Sequence, residues 1–136
     1  MEHHAASWLV LTRDDDRFYP LIGPYLSRRE VVSEIGAPIW DDHGKVWTVA
    51  LATAGDVLAF GAVVTRPGGS ELCSDYVVPS ARRRGLYAEL LARRLDCLTG
   101  RIRMTANANS LPAATAAGFV PTGQRGRFTR LETIRV

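Results

Sequence analysis

The sequence predicts a single α/β domain around a mixed β-sheet, and three observations predict it. The chain has 136 residues, a length that favours one domain, 1–136, with room for a real core. Apolar residues make up 46% and charged residues 23%, which is ordinary globular usage. Short β-prone runs fill the middle, helical periodicity begins near Tyr87, and no repeat, low-complexity tract or linker interrupts them.

Taken in order, "SWLVLTR" (7–13) reads as a strand and "DDD" (14–16) as an acidic turn. "RFYPLIGPYL" contains Pro20, Gly23 and Pro24, so only short helical pieces are expected there. In "SRREVVSEIG", Ser27 and Glu30 have capping-box spacing and Gly36 stands where a C-terminal cap would. "IWDDHGKVW" looks like the approach to a hairpin. "KVWTVALA" (45–52) and "VLAFGAVVTR" (57–66) follow as an antiparallel pair joined by "TAGD". "ELCSDYVV" (71–78) is the next strand, stopped by Pro79. Tyr87, Leu90, Leu91, Leu95 and Leu98 then form one apolar helical face. "RIRMTAN" (101–107) is a strand and "SLPAATAAG" (110–118) a short helix with Ser110 near its start. "FVPTG" and "RFTRLETIRV" close the chain as two strands.

No run approaches the roughly 18 to 20 apolar residues that span a bilayer, so no membrane role is expected. The N-terminus lacks a basic n-region, which points to a cytoplasmic protein. His3 and His4 are too few and too terminal for a metal site, and no metal is expected. Cys73 and Cys97 fit neither a disulfide framework nor a zinc pattern. They read as small core residues, with a reactive Cys73 as the lesser alternative. Net charge is +3, made of sixteen arginines and one lysine, Lys45, against 14 acidic residues. Arginine binds phosphate with a planar fork that lysine lacks, so the placement of these arginines matters more than their number.

The informative stretch is "VVPSARRRGLYAELL" (77–91), where a strand turns into a helix through three arginines and a glycine. A helix N-terminus exposes unpaired N–H groups and carries partial positive charge. Gly85 permits close approach to the backbone, and Arg82, Arg83 and Arg84 add charge. The junction reads as a pyrophosphate cradle. The Walker pattern and the dinucleotide fingerprint are both absent.

These residues resemble the GNAT superfamily of acyl-CoA-dependent N-acetyltransferases. Its signature V-x-P-x-x-[RQ]-x-x-G-x-[GA] is matched by Val77, Pro79, Arg82 and Gly85, with Tyr87 in place of the final small residue. A second block, N-x-x-[SA] followed by G-F, is matched by Asn107, Ser110, Gly118 and Phe119. The resemblance implies a mixed sheet of six to seven strands with about four helices, and acetyl-CoA held where the fourth and fifth strands splay. It implies that backbone groups of Val77 and Val78 bind the pantetheine arm. The N–H groups from Arg82 through Leu86 to Tyr87 would hold the pyrophosphate, Asn107 would touch the arm from the other side, and an amide at Tyr76 or Val77 would face the thioester oxygen.

Transfer to an amine of pKa about 10 calls for a base. Asp75 lies two residues before Val77, on the same face of a regular strand. Glu71 shares that parity, a bulge would change it, and the alternative role for Asp75 is only to pair a nearby arginine. The tyrosine that often protonates the leaving thiolate in this family is Ala114 here. Ser110, Tyr87 and Tyr76 are the substitutes, unless the thiolate leaves unassisted. The acceptor, a small amine or a peptide amine, is expected against residues 14–44, which offer Tyr19, Tyr25, Trp40, Asp41, Asp42 and His43.

Two competing functions stand beside N-acyl transfer. One is a nucleic-acid partner, either a modified base as acceptor or DNA bound through Arg82–Arg84, Arg93, Arg94, Arg101 and Arg103. The other is a CoA-binding regulator without catalysis. The family resemblance also implies a homodimer formed through the last strands.

Overall fold

The alternating apolar runs at 46–66 form two long neighbouring strands, and the remaining sheet grows outward from them. In the computed structural model, which describes residues 6–136, the first four strands are β1 (Ser7–Leu11), β2 (Val46–Leu51), β3 (Val57–Arg66) and β4 (Gly69–Val77). Each pairs antiparallel with the next. Strand β5 (Gly100–Ala106) lies parallel to β4, and β7 (Phe128–Arg135) joins β5 antiparallel. Strand β6 (Val120–Arg125) completes the order β1-β2-β3-β4-β5-β7-β6. The helices are α1 (Phe18–Leu26), α2 (Arg29–Ile35), α3 (Leu86–Leu95) and α4 (Leu111–Ala116). Seven strands and four helices in a mixed sheet match the expected fold class.

Both sheet faces are covered. Phe18, Ile22 and Val31 of α1 and α2 pack with Trp47, Phe60 and Tyr76 in one core. Leu91 and Leu95 of α3 pack with Leu72, Ile102, Met104 and Phe119 in a second. A small cluster of Ala50, Ala59, Ala81 and Leu86 joins the α3 start to the sheet. A buried side chain of this size contributes about 1.5–3 kcal/mol.

Four local expectations change. Helix α1 runs nine residues with Pro24 inside it. Pro20 falls in the first turn, where its missing N–H is not needed, so only Pro24 removes a helical bond. The Ser27–Glu30 capping box does not form: Ser27 ends α1 and Arg28 precedes α2 without a side-chain cap. Gly36 does cap α2, at φ 88 with its N–H on Val32 O at 2.9 Å. "IWDDHGK" makes a turn, with Lys45 N bonded to Asp42 O at 3.2 Å, but it leads into β2 and is no hairpin. Cys73 is half-buried and Cys97 exposed, so Cys97 is no core residue: it sits just beyond the end of α3.

His3 and His4 lie outside the described residues. Among the described residues no cluster of His, Cys, Asp or Glu is arranged to hold a metal, and no helix is long and apolar enough to cross a bilayer.

Gly69 starts β4 directly against β5. A Cβ there would lie 2.3 Å from the carbonyl oxygen of Arg101, a backbone atom that cannot rotate away. Gly69→Ala should therefore destabilise the protein by about 1–3 kcal/mol, read as a lower urea midpoint at constant m-value.

Candidate functional site

Strands β4 and β5 are paired at Ser70–Ile102 and Glu71–Arg103 and then separate. Where they part, β4 also bulges. Ser74 adopts φ 60, and the register to β3 shifts across Gly61. The bulge changes which side chains share a face. Leu72 packs on the α3 side, Cys73 and Tyr76 on the α1–α2 side, and Asp75 meets α3 again. Glu71 consequently loses the parity with Asp75 that a regular strand would give, and its carboxylate takes Arg66 Nε at 2.8 Å.

The opening is entered from two sides. The first cleft, about 440 Å³, lies at the junction of β4 with α3 and is bounded by Asp75, Val77, Arg83, Gly85, Asn107 and Ser110. The second, about 710 Å³, is walled by the end of α2 and the β6–β7 hairpin and floored by Cys73, Ser74 and Asp75. Asp75 and Asn107 border both, so the two clefts lie next to each other at the gap in the sheet.

The turn into α3 has the form of an anion cradle. Arg83 and Gly85 take φ 66 and φ 77, a left-handed pair that turns successive amides the same way. Among the described residues, no chain group accepts from the N–H of Arg83, Arg84, Gly85, Leu86, Tyr87 or Ala88. The side chains of Arg83 and Arg84 are exposed and without a carboxylate partner, and no atom lies within 4 Å of a Cβ built on Gly85. Six open amides and two free guanidinium groups fit a diphosphate.

Arg82 behaves differently. Its Nε donates to Val77 O at 2.9 Å, Nη2 to Glu34 Oε1 at 2.6 Å, and the guanidinium lies over the Tyr76 ring. Its side chain ties the turn to β4 and α2 and is not free for phosphate. Val78 is also committed, its N–H to Leu58 O and its C=O to Ala81 N, both at 2.9 Å, so it has no backbone group left for a ligand. An antiparallel ladder alternates every residue. Tyr76 therefore turns to β3 as Val78 does, and Val77 turns to the gap. Of the two amides expected to face a thioester, Val77 is the one so placed.

The three expected catalytic side chains are engaged in structural bonds. Both oxygens of Asp75 accept from Arg94, at 2.6 and 2.8 Å, and Oδ2 also accepts from Tyr87 Oη at 2.9 Å. Both oxygens of Asp75 are thus engaged by a buried guanidinium, the pairing role that the sequence offers as an alternative. Gly61 makes room for this pair: a Cβ there would meet Asp75 Oδ1 at 2.7 Å and Arg94 Nη1 at 2.8 Å. Burial first, and then the Asp75 charge, hold the Tyr87 hydroxyl well above its ordinary pKa. In this arrangement the Tyr87 hydroxyl serves as a hydrogen-bond donor to Asp75. Ser110 Oγ accepts from Asn107 N at 3.1 Å and caps nothing in α4. Asn107 Oδ1 accepts from the amides of Asn109 and Ser110, and its Nδ2 donates to Glu34 O at 3.4 Å. Asn107 thus borders the gap as an organiser of its rim. Burial raises the Tyr76 hydroxyl, whose ring packs on Phe60 and Tyr25. Burial likewise raises the Cys73 thiol, which opposes a reactive thiolate.

The expected acceptor residues lie elsewhere. Tyr19 bonds Asp41, Tyr25 packs on Phe60, and His43 stands 4.0 Å from Asp14. None of Tyr19, Tyr25, Trp40, Asp41, Asp42 or His43 borders either cleft. Of the seven arginines expected to bind DNA, Arg83 and Arg84 have no carboxylate partner among the described residues, and the other five are engaged, Arg82 with Glu34. Arg94 is buried, Arg93 pairs with Glu89, and Arg101 and Arg103 share Glu132. Sequence reasoning missed the buried Lys45, whose ammonium bonds Trp40 O at 2.6 Å and Ser74 Oγ at 2.8 Å. A lone lysine among sixteen arginines was the available signal. Arg125, Arg127 and Arg130, on the wall of the second cleft, were missed with no local signal.

No protein-family model and no curated protein matches the chain. Solved structures do. A spermidine N-acetyltransferase from Vibrio cholerae, in complex with CoA and spermine, superposes at TM-score 0.71 with 15% identity over 96% of this chain and 95% of that one. An acyl-CoA N-acyltransferase from Pseudomonas aeruginosa gives 0.71 and 19% over 97% and 100%. A GNAT-superfamily phosphinothricin acetyltransferase from Sinorhizobium meliloti, in complex with AcCoA, gives 0.68 and 18% over 96% and 88%. The resemblance seen in the two sequence blocks therefore holds at the level of the fold, along nearly the whole chain.

Arg94→Met should cost about 3–5 kcal/mol in unfolding free energy by stranding Asp75, while Asp75→Leu combined with Arg94→Met should recover most of it. In the folded protein Tyr87 keeps its proton above its ordinary pKa of 10.0. Its contribution to stability is thus complete below pH 10 and is lost as pH rises through the higher folded value. Tyr87→Phe should remove that part of the alkaline fall in urea midpoint.

Proposed function

We propose that this chain is an N-acyltransferase that moves an acetyl or other short acyl group from acyl-CoA to an amine by direct attack in a ternary complex. One observation carries the reading: a cleft with an anion cradle at its mouth shares Asp75 and Asn107 with a second cleft, beside the gap between β4 and β5. The neighbours of the same fold, crystallised with CoA or AcCoA, support a CoA donor for the first cleft. The spermine in one of them supports a small amine as acceptor.

Arg83, Arg84 and the open amides of the α3 turn would bind the diphosphate, and the Val77 N–H, whose carbonyl is held by Arg82, would face the thioester. Bound acyl-CoA would supply a thioester carbonyl and a thiolate leaving group. The Val77 N–H then donates to the carbonyl oxygen as negative charge develops on it. The amine enters from the second cleft in its neutral form, having released one proton to water there. As the C–N bond forms the C–S bond breaks, and the electron pair leaves on sulfur. The nitrogen's second proton passes to solvent and the thiolate is protonated from solvent. A thiol of pKa about 8.5 leaves without an acid, so the missing tyrosine at Ala114 is no obstacle. The rate gain comes from holding the two reactants in line, which can be worth about 7–11 kcal/mol.

The nucleic-acid alternative is less well supported, because five of the seven arginines it needs are paired with carboxylates.

CoA should raise the melting temperature with one-site saturation, and acetyl-CoA should be consumed in the presence of some member of an amine and peptide panel. The double variant Arg83→Ala/Arg84→Ala should weaken CoA binding about 10-fold or more. Absence of saturable CoA binding at millimolar concentration would sink the proposal. Saturable binding with no acylation of any amine would leave a CoA-binding regulator.

A further inference from the structure

The sixteen arginines fall into two groups of equal size. Arg17, Arg66, Arg82, Arg93, Arg94, Arg101, Arg103 and Arg135 each have a carboxylate within 4.0 Å. Among the described residues the others have none. Two of those, Arg83 and Arg84, flank the cradle of the first cleft. Three more, Arg125, Arg127 and Arg130, stand together on the second cleft. Like-charged neighbours without counter-ions repel one another, so compositional bias toward arginine does not explain why they converge on a concave surface.

The second cleft holds no spare anion to satisfy them. Its carboxylates are Glu71 and Asp75, and each is already bound, to Arg66 at 2.8 Å and to Arg94 at 2.6 Å. Nor is the hairpin wall loose. Arg127 lies over the Phe128 ring and donates to Ser33 O in α2. Phe128 in turn presses on Gly36, where a Cβ would be 2.4 Å from its Cζ. Arg130 sits opposite Thr105 in the β5–β7 register, one ladder step along the same face from the Arg103–Glu132 pair. The row of compensated charges on that face thus ends in an uncompensated cation beside the gap.

Resting on the acyltransferase reading, we infer that the acceptor is a small amine that also carries an oxyanion, a carboxylate or a phosphonate, held by Arg125, Arg127 and Arg130 while its nitrogen faces the gap at Asp75. Arginine suits this task because its fork matches both kinds of oxyanion. The same three cations repel a polyamine. The site is a cleft of about 710 Å³ and not an open row of cations, which suits a small molecule better than a nucleic-acid backbone.

Matched pairs test the inference on the full chain: γ-aminobutyrate against n-butylamine, β-alanine against propylamine, 2-aminoethylphosphonate against ethylamine, and the amino acids against their amides. Spermine and a phosphodiester oligonucleotide complete the set. Acetyl-CoA consumption is followed for each, and calorimetric titration into CoA-saturated protein gives binding without turnover. The acid-bearing member of at least one pair should exceed its plain partner at least 10-fold in kcat/KM, and Arg125→Gln or Arg130→Gln should each cut that ratio about 10-fold. Acylation confined to plain amines or spermine overturns the inference and leaves the transferase intact. Binding of acid-bearing amines without acylation keeps the anion site and overturns the transferase. No binding of any acid-bearing amine at millimolar concentration, or tighter binding of the oligonucleotide, overturns the inference itself.

Discussion

The site depends on one buried ion pair. Arg94, on α3, carries its guanidinium under the sheet to the bulge of β4, where it bonds both oxygens of Asp75 and the carbonyl of Ala62. A cation at 2% exposure is tolerable only because its bonds are made in full. Gly61 gives up its side chain to leave space for them. With α3 pinned to the bulge, the turn before α3 is pinned as well, and with it the left-handed backbone at Arg83 and Gly85. The cradle and the bulge of β4 are thereby tied together by one contact.

The same economy of charge organises the surface. Where a carboxylate is within reach, arginine is used as a structural clamp. Arg82 joins the α3 turn to Glu34 of α2, and Glu132 gathers Arg101 and Arg103 across β5 and β7. Where carboxylates are withheld, the cations stay available, and on the two clefts this happens on opposite sides of the same gap. Lys45 is a different case. Its ammonium ends on a carbonyl, a hydroxyl and the face of Trp47, a compact site that a planar guanidinium would not fill.

The sequence made the scaffold legible wherever periodicity and punctuation agreed. The β3 bounds, Val57–Arg66, emerge as expected because an unbroken apolar run is flanked by turn residues. Gly36 caps its helix for the reason its spacing implies, and the basic turn opens α3. What was hidden depends on side-chain partners distant in the chain. Arg94 reads as one of the candidate DNA-binding arginines because the residue that neutralises it is 19 positions away. The role of Asp75 was readable only as two alternatives, since the bulge at Ser74 comes from sheet pairing and not from any local motif. Arg82 matched the expected pattern by residue type, yet its side chain points inward toward Glu34, a partner 48 residues away. The hairpin arginines carried no signal at all, because only the β5–β7 register brings them beside β4.

Asp75 and Asn107 border both clefts, so neither cleft has a rim of its own at the gap. A change at either residue alters the two clefts together.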